Sequence, residues 1–201
     1  VSEDGSFFGE EYTLVAVADY VLSKTPGNTV SNMSSTRALS IVTEKYGCNY
    51  TASAVGEVNV VEAIRANNAI IGGEGNGGII YPTSHAGRDA LVGVGLFLTH
   101  LVEQDVSCSE LRKTYPEFVI CKDKIELPNS GVEEALEQLV KNNPDAKINT
   151  VDGVKFDLEE GWVHLRKSNT EPIIRVYAEA SNEEAANALA ARFKSELLSL
   201  L

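Results

Sequence analysis

The sequence predicts a three-layer α/β unit with a mixed sheet over residues 1–104, followed by a smaller α+β unit over 105–201 in which an antiparallel sheet lies against helices. Three observations lead to that reading. Short β-rich segments alternate with longer helical ones as far as residue 104, the pattern of an α/β layer domain. A polar cluster over 103–109 then breaks the alternation. Beyond it four β-rich segments succeed one another with only turns between them, and a helix closes the chain.

Taken in order, residues 1–9 read as a strand end and a turn, with Glu3-Asp4-Gly5-Ser6 as the turn signal. Glu10 and Glu11 open a helix whose body, 12–22, is apolar almost all round and therefore buried on most of its surface. Thr25-Pro26-Gly27-Asn28 stops it, and 29–33 is a short strand. Ser34, Ser35 and Thr36 offer caps for a helix over 37–46 that Gly47 ends. Strands are expected at 49–54, 69–71 and 79–81, with a helix through Ala66 and another over 90–104. In the second unit 110–115 is a short helix, 117–127 a strand, and 132–142 a helix with Val132, Ala135, Leu136, Leu139 and Val140 on one face. Further strands are expected at 147–150, 154–158, 162–167 and 173–180. Ser181 and Glu184 form a capping box that starts the last helix.

Composition narrows the function classes. Apolar residues at 43% and charged residues at 23% are ordinary for a soluble globular protein. A net charge of −12 repels nucleic acid and anionic membrane on average, so neither is expected as a partner. A bound phosphate would have to be small and captured locally. Cys48, Cys108 and Cys121 make no paired motif and are odd in number, which fits a reducing cytoplasm better than a disulfide framework or a cysteine zinc site. Residues 90–102, the longest apolar stretch, fall short of a membrane span and include Thr99 and His100. The chain opens on Val1 with no signal-like segment, as a fragment or processed chain would.

Two loops read as chemistry. In the first, Arg166-Lys167-Ser168-Asn169-Thr170-Glu171-Pro172 joins two β-rich segments, and Arg175 lies in the second of them. Guanidinium groups give planar paired donors to phosphate oxygens, and hydroxyls, an amide and tight-loop N–H groups add more, so the loop can hold one compact anion. The same residues would also serve as a plain polar hairpin tip. The second loop, 72–78, places five glycines around Glu74 and Asn76. Glycine allows the close backbone approach a pressed ligand needs, and Glu74 and Asn76 can exchange hydrogen bonds with sugar hydroxyls. Its spacing matches neither a P-loop nor a dinucleotide fingerprint. A flexible hairpin tip is the other reading.

With these two loops about ninety residues apart, the chain resembles the α-D-phosphohexomutase family, which includes phosphoglucomutases, phosphomannomutases and phosphoglucosamine mutases. Arg166 to Pro172 with Arg175 looks like that family's C-terminal phosphate-binding loop, Gly73-Glu74-Gly75-Asn76-Gly77 like its sugar-binding loop, and Gly9-Glu10-Glu11-Tyr12-Thr13-Leu14 like the segment after its metal loop. The resemblance spans nearly the whole chain but only the last two of the family's four domains. It implies a reaction that moves phosphate between the C1 and C6 oxygens of a hexose through a phosphoserine, with Mg²⁺ as electrophile. It also implies that Arg166, Ser168, Asn169, Thr170 and Arg175 clamp the substrate phosphate while Glu74 and Asn76 read hydroxyls. Nothing in the chain resembles the phosphoserine loop or the DxDxDR metal loop: Asp145, Asp152 and Asp157 lie apart. Those elements are expected in upstream domains of the same polypeptide, so no catalytic or metal-ligating residue is assigned here and the chain alone should not turn over. Asn76 stands where many members have Ser, Gly78 where many have His, and Asn169 where Gly is commoner. The Glu-x-Asn-Gly pattern is similar to that of acetylglucosamine-phosphate mutases and tilts the substrate toward an amino sugar. A stand-alone phosphosugar-binding or regulatory module is the alternative.

The remaining polar residues have plainer readings. His85 follows the strand after the glycine-rich loop and reads as a loop-surface residue or one in reach of a ligand, His100 as a packed or boundary residue of an apolar helix, and His164, alternating with Trp162 and Arg166, as either a satisfied sheet histidine or a neighbour of the phosphate. No histidine pair has zinc spacing. Arg88-Asp89 reads as a local cap and surface pair, and the acidic pairs at 133–134 and 183–184 favour their helix dipoles.

Overall fold

A computed structural model describes residues 1–126, 131–168 and 170–201. They divide into two units, Val1–Glu117 and Phe118–Leu201. The boundary therefore falls after residue 117 and not at 104, where composition changes. The polar run at 103–109 is the end of one helix and the cap of the next: Ser107 forms a capping box with Glu110. The segment beyond that cap packs into the first unit, with Leu111 and Tyr115 buried and Tyr12 Oη donating to the Pro116 carbonyl at 2.7 Å.

The first unit contains α1 (Glu10–Lys24), β1 (Asn28–Asn32), α2 (Ala38–Lys45), β2 (Tyr50–Ser53), α3 (Glu57–Ala66), β3 (Ala69–Glu74), β4 (Gly78–Ile80), α4 (Ala90–Gln104) and α5 (Cys108–Lys113). Strand order is β2-β1-β3-β4. β1 runs parallel to β2 and to β3, whereas β3 and β4 are antiparallel, so the sheet is mixed as expected. Adjacent glycines show that helices cover both faces. A Cβ on Gly72 would stand 2.8 Å from Ile64 of α3, and one on Gly73 would stand 3.1 Å from Leu14 of α1; successive strand residues point to opposite faces. α1 is buried over Leu14, Val15, Ala16, Val17 and Ala18, which accounts for its nearly continuous apolar sequence. Residues 1–9 form turns with no strand. Of the three proposed caps of α2, Thr36 accepts from the Ala38 N–H at 3.2 Å, while Ser34 and Ser35 turn back to the Asn32 carboxamide.

The second unit contains β5 (Val119–Glu126), α6 (Val132–Asn142), β6 (Lys147–Asn149), β7 (Val154–Asp157), β8 (Gly161–Lys167), β9 (Ile173–Ala180) and α7 (Glu183–Leu198). All neighbours in the order β5-β9-β8-β7-β6 are antiparallel. Residue 127, the expected end of β5, lies outside the described residues. One sheet face joins α6 and α7 in a core of Phe156, Val163, Leu165, Val176, Leu139 and Phe193. The alternate positions, Trp162, His164 and Arg166 on β8 and Arg175, Tyr177 and Glu179 on β9, lie on the other face. There the Trp162 indole N–H donates to Glu179 Oε1 at 2.7 Å, and both side chains are fully buried. α7 is capped by Asn182, whose carboxamide accepts from Ala185 N–H at 2.9 Å. Because the helix begins at Glu183, Ser181 sits one residue too early to cap it and Glu184 is not at the third helical position a capping box needs. No helix of the described residues is long and apolar enough to cross a membrane.

Candidate functional site

Backbone crowding explains the glycines of the 72–78 loop. β3 runs on through Gly72, Gly73 and Glu74, so three of the seven expected loop residues belong to the strand. A Cβ on Gly72 would lie 2.6 Å from the Val30 carbonyl, and side chains at Gly73 and Gly75 would collide with the Gly78 carbonyl and the Glu11 carboxylate. Gly77, at φ 83, makes the turn, and its N–H closes on the Glu74 carbonyl at 3.2 Å. The turn is thus closed by a hydrogen bond and has no room for side chains at Gly73 and Gly75.

Glu74 is buried. Its Oε1 accepts from Asn32 Nδ2 at 3.1 Å, and its Oε2 lies 3.6 Å from Arg88 Nη1. A buried carboxylate held by an amide and a guanidinium has its direction fixed before a ligand arrives. Asn76 is exposed, and its Oδ1 accepts from the Gly78 N–H at 3.0 Å. Its carbonyl thus stabilises the turn, leaving the amide N–H groups for a ligand. Arg88 pairs with Glu57 through Nε at 2.8 Å rather than with Asp89. Its N–H groups are the main cause holding the Glu57 carboxyl below the usual range. Asp89 caps α4 by accepting from Val92 N–H at 3.0 Å, and it also meets His85 at 3.1 Å, which keeps that histidine at the loop surface. Asn32 and Glu57 were not singled out in the sequence, and Arg88 was read only as a surface partner of Asp89, because no spacing links any of them to Glu74.

The loop that follows Arg166 joins β8 to β9. Arg166 and Arg175 are direct cross-strand partners, and Lys124 on β5 is opposite Arg175. Three cations therefore stand in one row across three strands. Like charges placed directly opposite each other destabilise a sheet unless an anion lies between them. Asp152 Oδ2 approaches Arg166 Nε at 2.6 Å, and Glu171 Oε2 approaches Arg175 Nη2 at 3.3 Å. Arg175 Nε is buried with no hydrogen-bond partner among the described residues. A cavity of about 400 Å³ beside this row is lined by Lys122, Lys124 and Arg175 and also by Asp123 and Glu171, with Tyr177 at its wall. Ser168 N–H donates to the Ile173 carbonyl at 2.9 Å to close the loop, and the Ser168 and Thr170 hydroxyls lie 3.4 Å apart. Asn169 lies outside the described residues. Lys124 was the residue overlooked here, since a strand lysine carries no motif.

His164 shares the face of Arg166 but is committed elsewhere. Its Nε2 lies 2.6 Å from the Asp152 carbonyl, so Nε2 carries the proton. Burial lowers its pKa to about 4. A neutral imidazole adds no charge to the cation row, which leaves the satisfied sheet histidine of the two readings. His100 is buried, with Nε2 3.2 Å from Tyr115 Oη. That hydroxyl donates to Asp19, so His100 is a packed residue in a polar network. Among the described residues no group of three or more His, Cys, Asp or Glu side chains is placed to hold a metal, so the residues present do not fit a resident Mg²⁺.

The geometry thus gathers Glu74 and Asn76 at one tight turn of the first unit, and Arg166, Ser168, Thr170 and Arg175 at one turn of the second. Residues 9–118 match the family model described as phosphoglucomutase/phosphomannomutase, alpha/beta/alpha domain III, and residues 124–196 match that of the phosphoglucomutase/phosphomannomutase C-terminal domain. A phosphoglucosamine/phosphogalactosamine mutase of Sulfurisphaera tokodaii is 34% identical over 168 residues, covering 82% of this chain and 37% of that protein. A phosphoglucomutase/phosphomannomutase of Thermococcus kodakarensis is 32% identical over 189 residues, covering 92% and 41%. The crystal structure of a phosphoglucomutase/phosphomannomutase family protein from Burkholderia thailandensis has the same fold, with a TM-score of 0.80 at 23% identity over 100% of this chain and 43% of that one. The chain therefore spans less than half the length of the relatives it matches. On the match of both family models along its length, the chain belongs to the phosphoglucomutase/phosphomannomutase family.

Proposed function

We propose that this chain is the C-terminal part of a phosphohexomutase that interconverts hexose 6-phosphate and hexose 1-phosphate, and that it contributes binding rather than bond-breaking. The observation that carries this reading is the row of Arg166 and Arg175 beside Ser168 and Thr170. Two guanidinium groups and two hydroxyls offer enough charge-assisted donors to hold a phosphate dianion, with Asp152 and Glu171 keeping the arginines in place until it arrives. Asn169 completes the proposed clamp. Glu74 and the Asn76 amide supply the acceptor and donor that read ring hydroxyls. Holding substrate in one geometry is itself catalytic, because it removes translational and rotational freedom before the chemical step.

Phosphoryl transfer needs a nucleophile and an electrophile, and the sequence shows neither the phosphoserine loop nor the DxDxDR metal loop that would supply them. Mg²⁺ bound elsewhere in the longer protein would supply charge stabilisation at the transferring phosphate, and the residues here orient the sugar that receives it. The relatives are named for amino and for neutral hexose phosphates; the Glu74-Gly75-Asn76-Gly77 pattern favours an amino sugar. Calorimetric titration of the purified chain with glucosamine 6-phosphate, glucose 6-phosphate and mannose 6-phosphate tests the reading. Binding that Arg166→Met and Glu74→Gln both weaken is expected, without turnover. Conversion of a hexose phosphate by the chain alone, or affinity indifferent to both substitutions, overturns it.

A further inference from the structure

The glycine-rich turn carries a side chain from outside its own sequence. Glu74 of β3 faces Gly78 of β4 directly, and Ile80, two residues further on, forms a bridge with Arg88. Residues two apart on a strand share a face, so Arg88 comes to lie over Gly78. A Cβ at 78 would stand 2.6 Å from Arg88 Cδ and 3.0 Å from Asn76 Oδ1. Gly78 has an ordinary backbone conformation, outside the positive-φ glycines. Its lack of a side chain therefore matters for the space above it and not for the turn.

Through that space the guanidinium reaches Glu74, with Nη1 3.6 Å from Oε2. It is steadied from the other side by Glu57, which takes Nε at 2.8 Å and the Arg88 backbone N–H at 2.9 Å. Arg88 Nη2 makes no hydrogen bond among the described residues, and the side chain is 47% exposed. An anchored, half-exposed guanidinium thus borders a buried carboxylate. That pair matches two neighbouring sugar hydroxyls, one donating to a carboxylate oxygen and the next accepting from N–H.

We propose that Arg88 is a specificity-determining residue of the sugar-reading turn, positioning Glu74 and donating from Nη2 to the hydroxyl next to the one Glu74 accepts from, with Gly78 kept small to let it through. This rests on the reading of the Glu74 turn as the sugar site. The turn then selects a vicinal diol, and a hexose phosphate lacking one of the two hydroxyls gains little from it.

The test compares glucose 6-phosphate with inorganic phosphate as calorimetric probes of the whole 201-residue chain. Wild type prefers the sugar phosphate. Arg88→Met keeps the aliphatic stem but removes every donor, and it reduces that preference by about tenfold or more, the effect of losing a charged hydrogen bond. Affinity for inorganic phosphate stays unchanged. Gly78→Ala, by displacing the stem, does the same, and Arg88→Lys restores part of the preference. Glu57→Gln loosens the anchor and lowers thermal stability yet keeps most of the preference. Equal losses of stability in Arg88→Met and Glu57→Gln, with the sugar preference intact in both, overturn the proposal and leave Arg88 a structural staple. If wild type itself shows no preference for the sugar phosphate, the reading of the Glu74 turn fails and the role of Arg88 fails with it.

Discussion

His164 makes the second unit sensitive to mild acid, and the size of the effect can be worked from its surroundings. The imidazole is buried, its Nε2–H is spent on the Asp152 carbonyl, and its pKa falls from 6.5 to about 4. A histidine whose folded pKa is depressed takes up its proton more readily in the unfolded chain. Its contribution is present in full above the unfolded pKa, and it is lost as pH drops from 6.5 toward the folded value of about 4. The full shift corresponds to about 3 kcal/mol, and acidification from about pH 7 to about pH 5 releases roughly 2 kcal/mol of it. Carboxylates do not mimic this, because they titrate mostly below that window. Trp162 is the only tryptophan, is fully buried, and lies on the same face, so its fluorescence during urea unfolding reports this unit. His164→Gln can keep a donor toward Asp152 but has no proton to gain, so its stability should be nearly flat over the window. An equal fall in wild type and His164→Gln refutes the reasoning.

Four further outcomes are expected from the geometry. Arg166→Met and Arg175→Met should each cost about 1.5–3 kcal/mol of phosphate binding, while Lys124→Met, exposed at the end of the row, should cost under about 1 kcal/mol; calorimetry with inorganic phosphate reads both. Gly153 has φ 71, and a Cβ there meets the Leu165 carbonyl beside Arg166. Gly153→Ala should therefore destabilise the second unit by roughly 1–3 kcal/mol in urea melts. Asn182→Ala should lose about 1 kcal/mol through the cap of α7, and Ser181→Ala only a few tenths, in the same assay. Glu179→Ala would strand the buried Trp162 N–H at a cost of roughly 1–3 kcal/mol, with a shift in indole emission.

How far the sequence carried depends on how local each feature is. Residues 132–142 and 173–180 were bounded as they stand in the structure, because amphipathic spacing and turn residues act within a few positions. The unit boundary was misplaced for the opposite reason: Ser107 looks like linker composition, yet with Glu110 it caps a helix whose successor Tyr115 reaches Asp19 on α1. The same division runs through the sites. Arg166 and Arg175 were legible because one hairpin turn makes them neighbours. Lys124, Asn32 and Arg88 were not, because sheet order and a distant loop bring them in, and neither leaves a trace in spacing. Gly78 was noticed only as an absent side chain; its meaning lies in Arg88, ten positions away and across a strand.

The central claim is that the turn between Arg166 and Arg175 holds phosphate and that the turn at Glu74 reads sugar hydroxyls. Backbone amide shifts of the labelled chain, followed during titration with inorganic phosphate and then with a hexose 6-phosphate, test it most directly. Phosphate alone should move the signals of Arg166, Ser168, Thr170 and Arg175 and leave the Glu74 to Gly78 turn still, whereas the hexose phosphate should move both sets. Shifts confined to other surfaces, or a Glu74 turn indifferent to every hexose phosphate tried, would contradict the account.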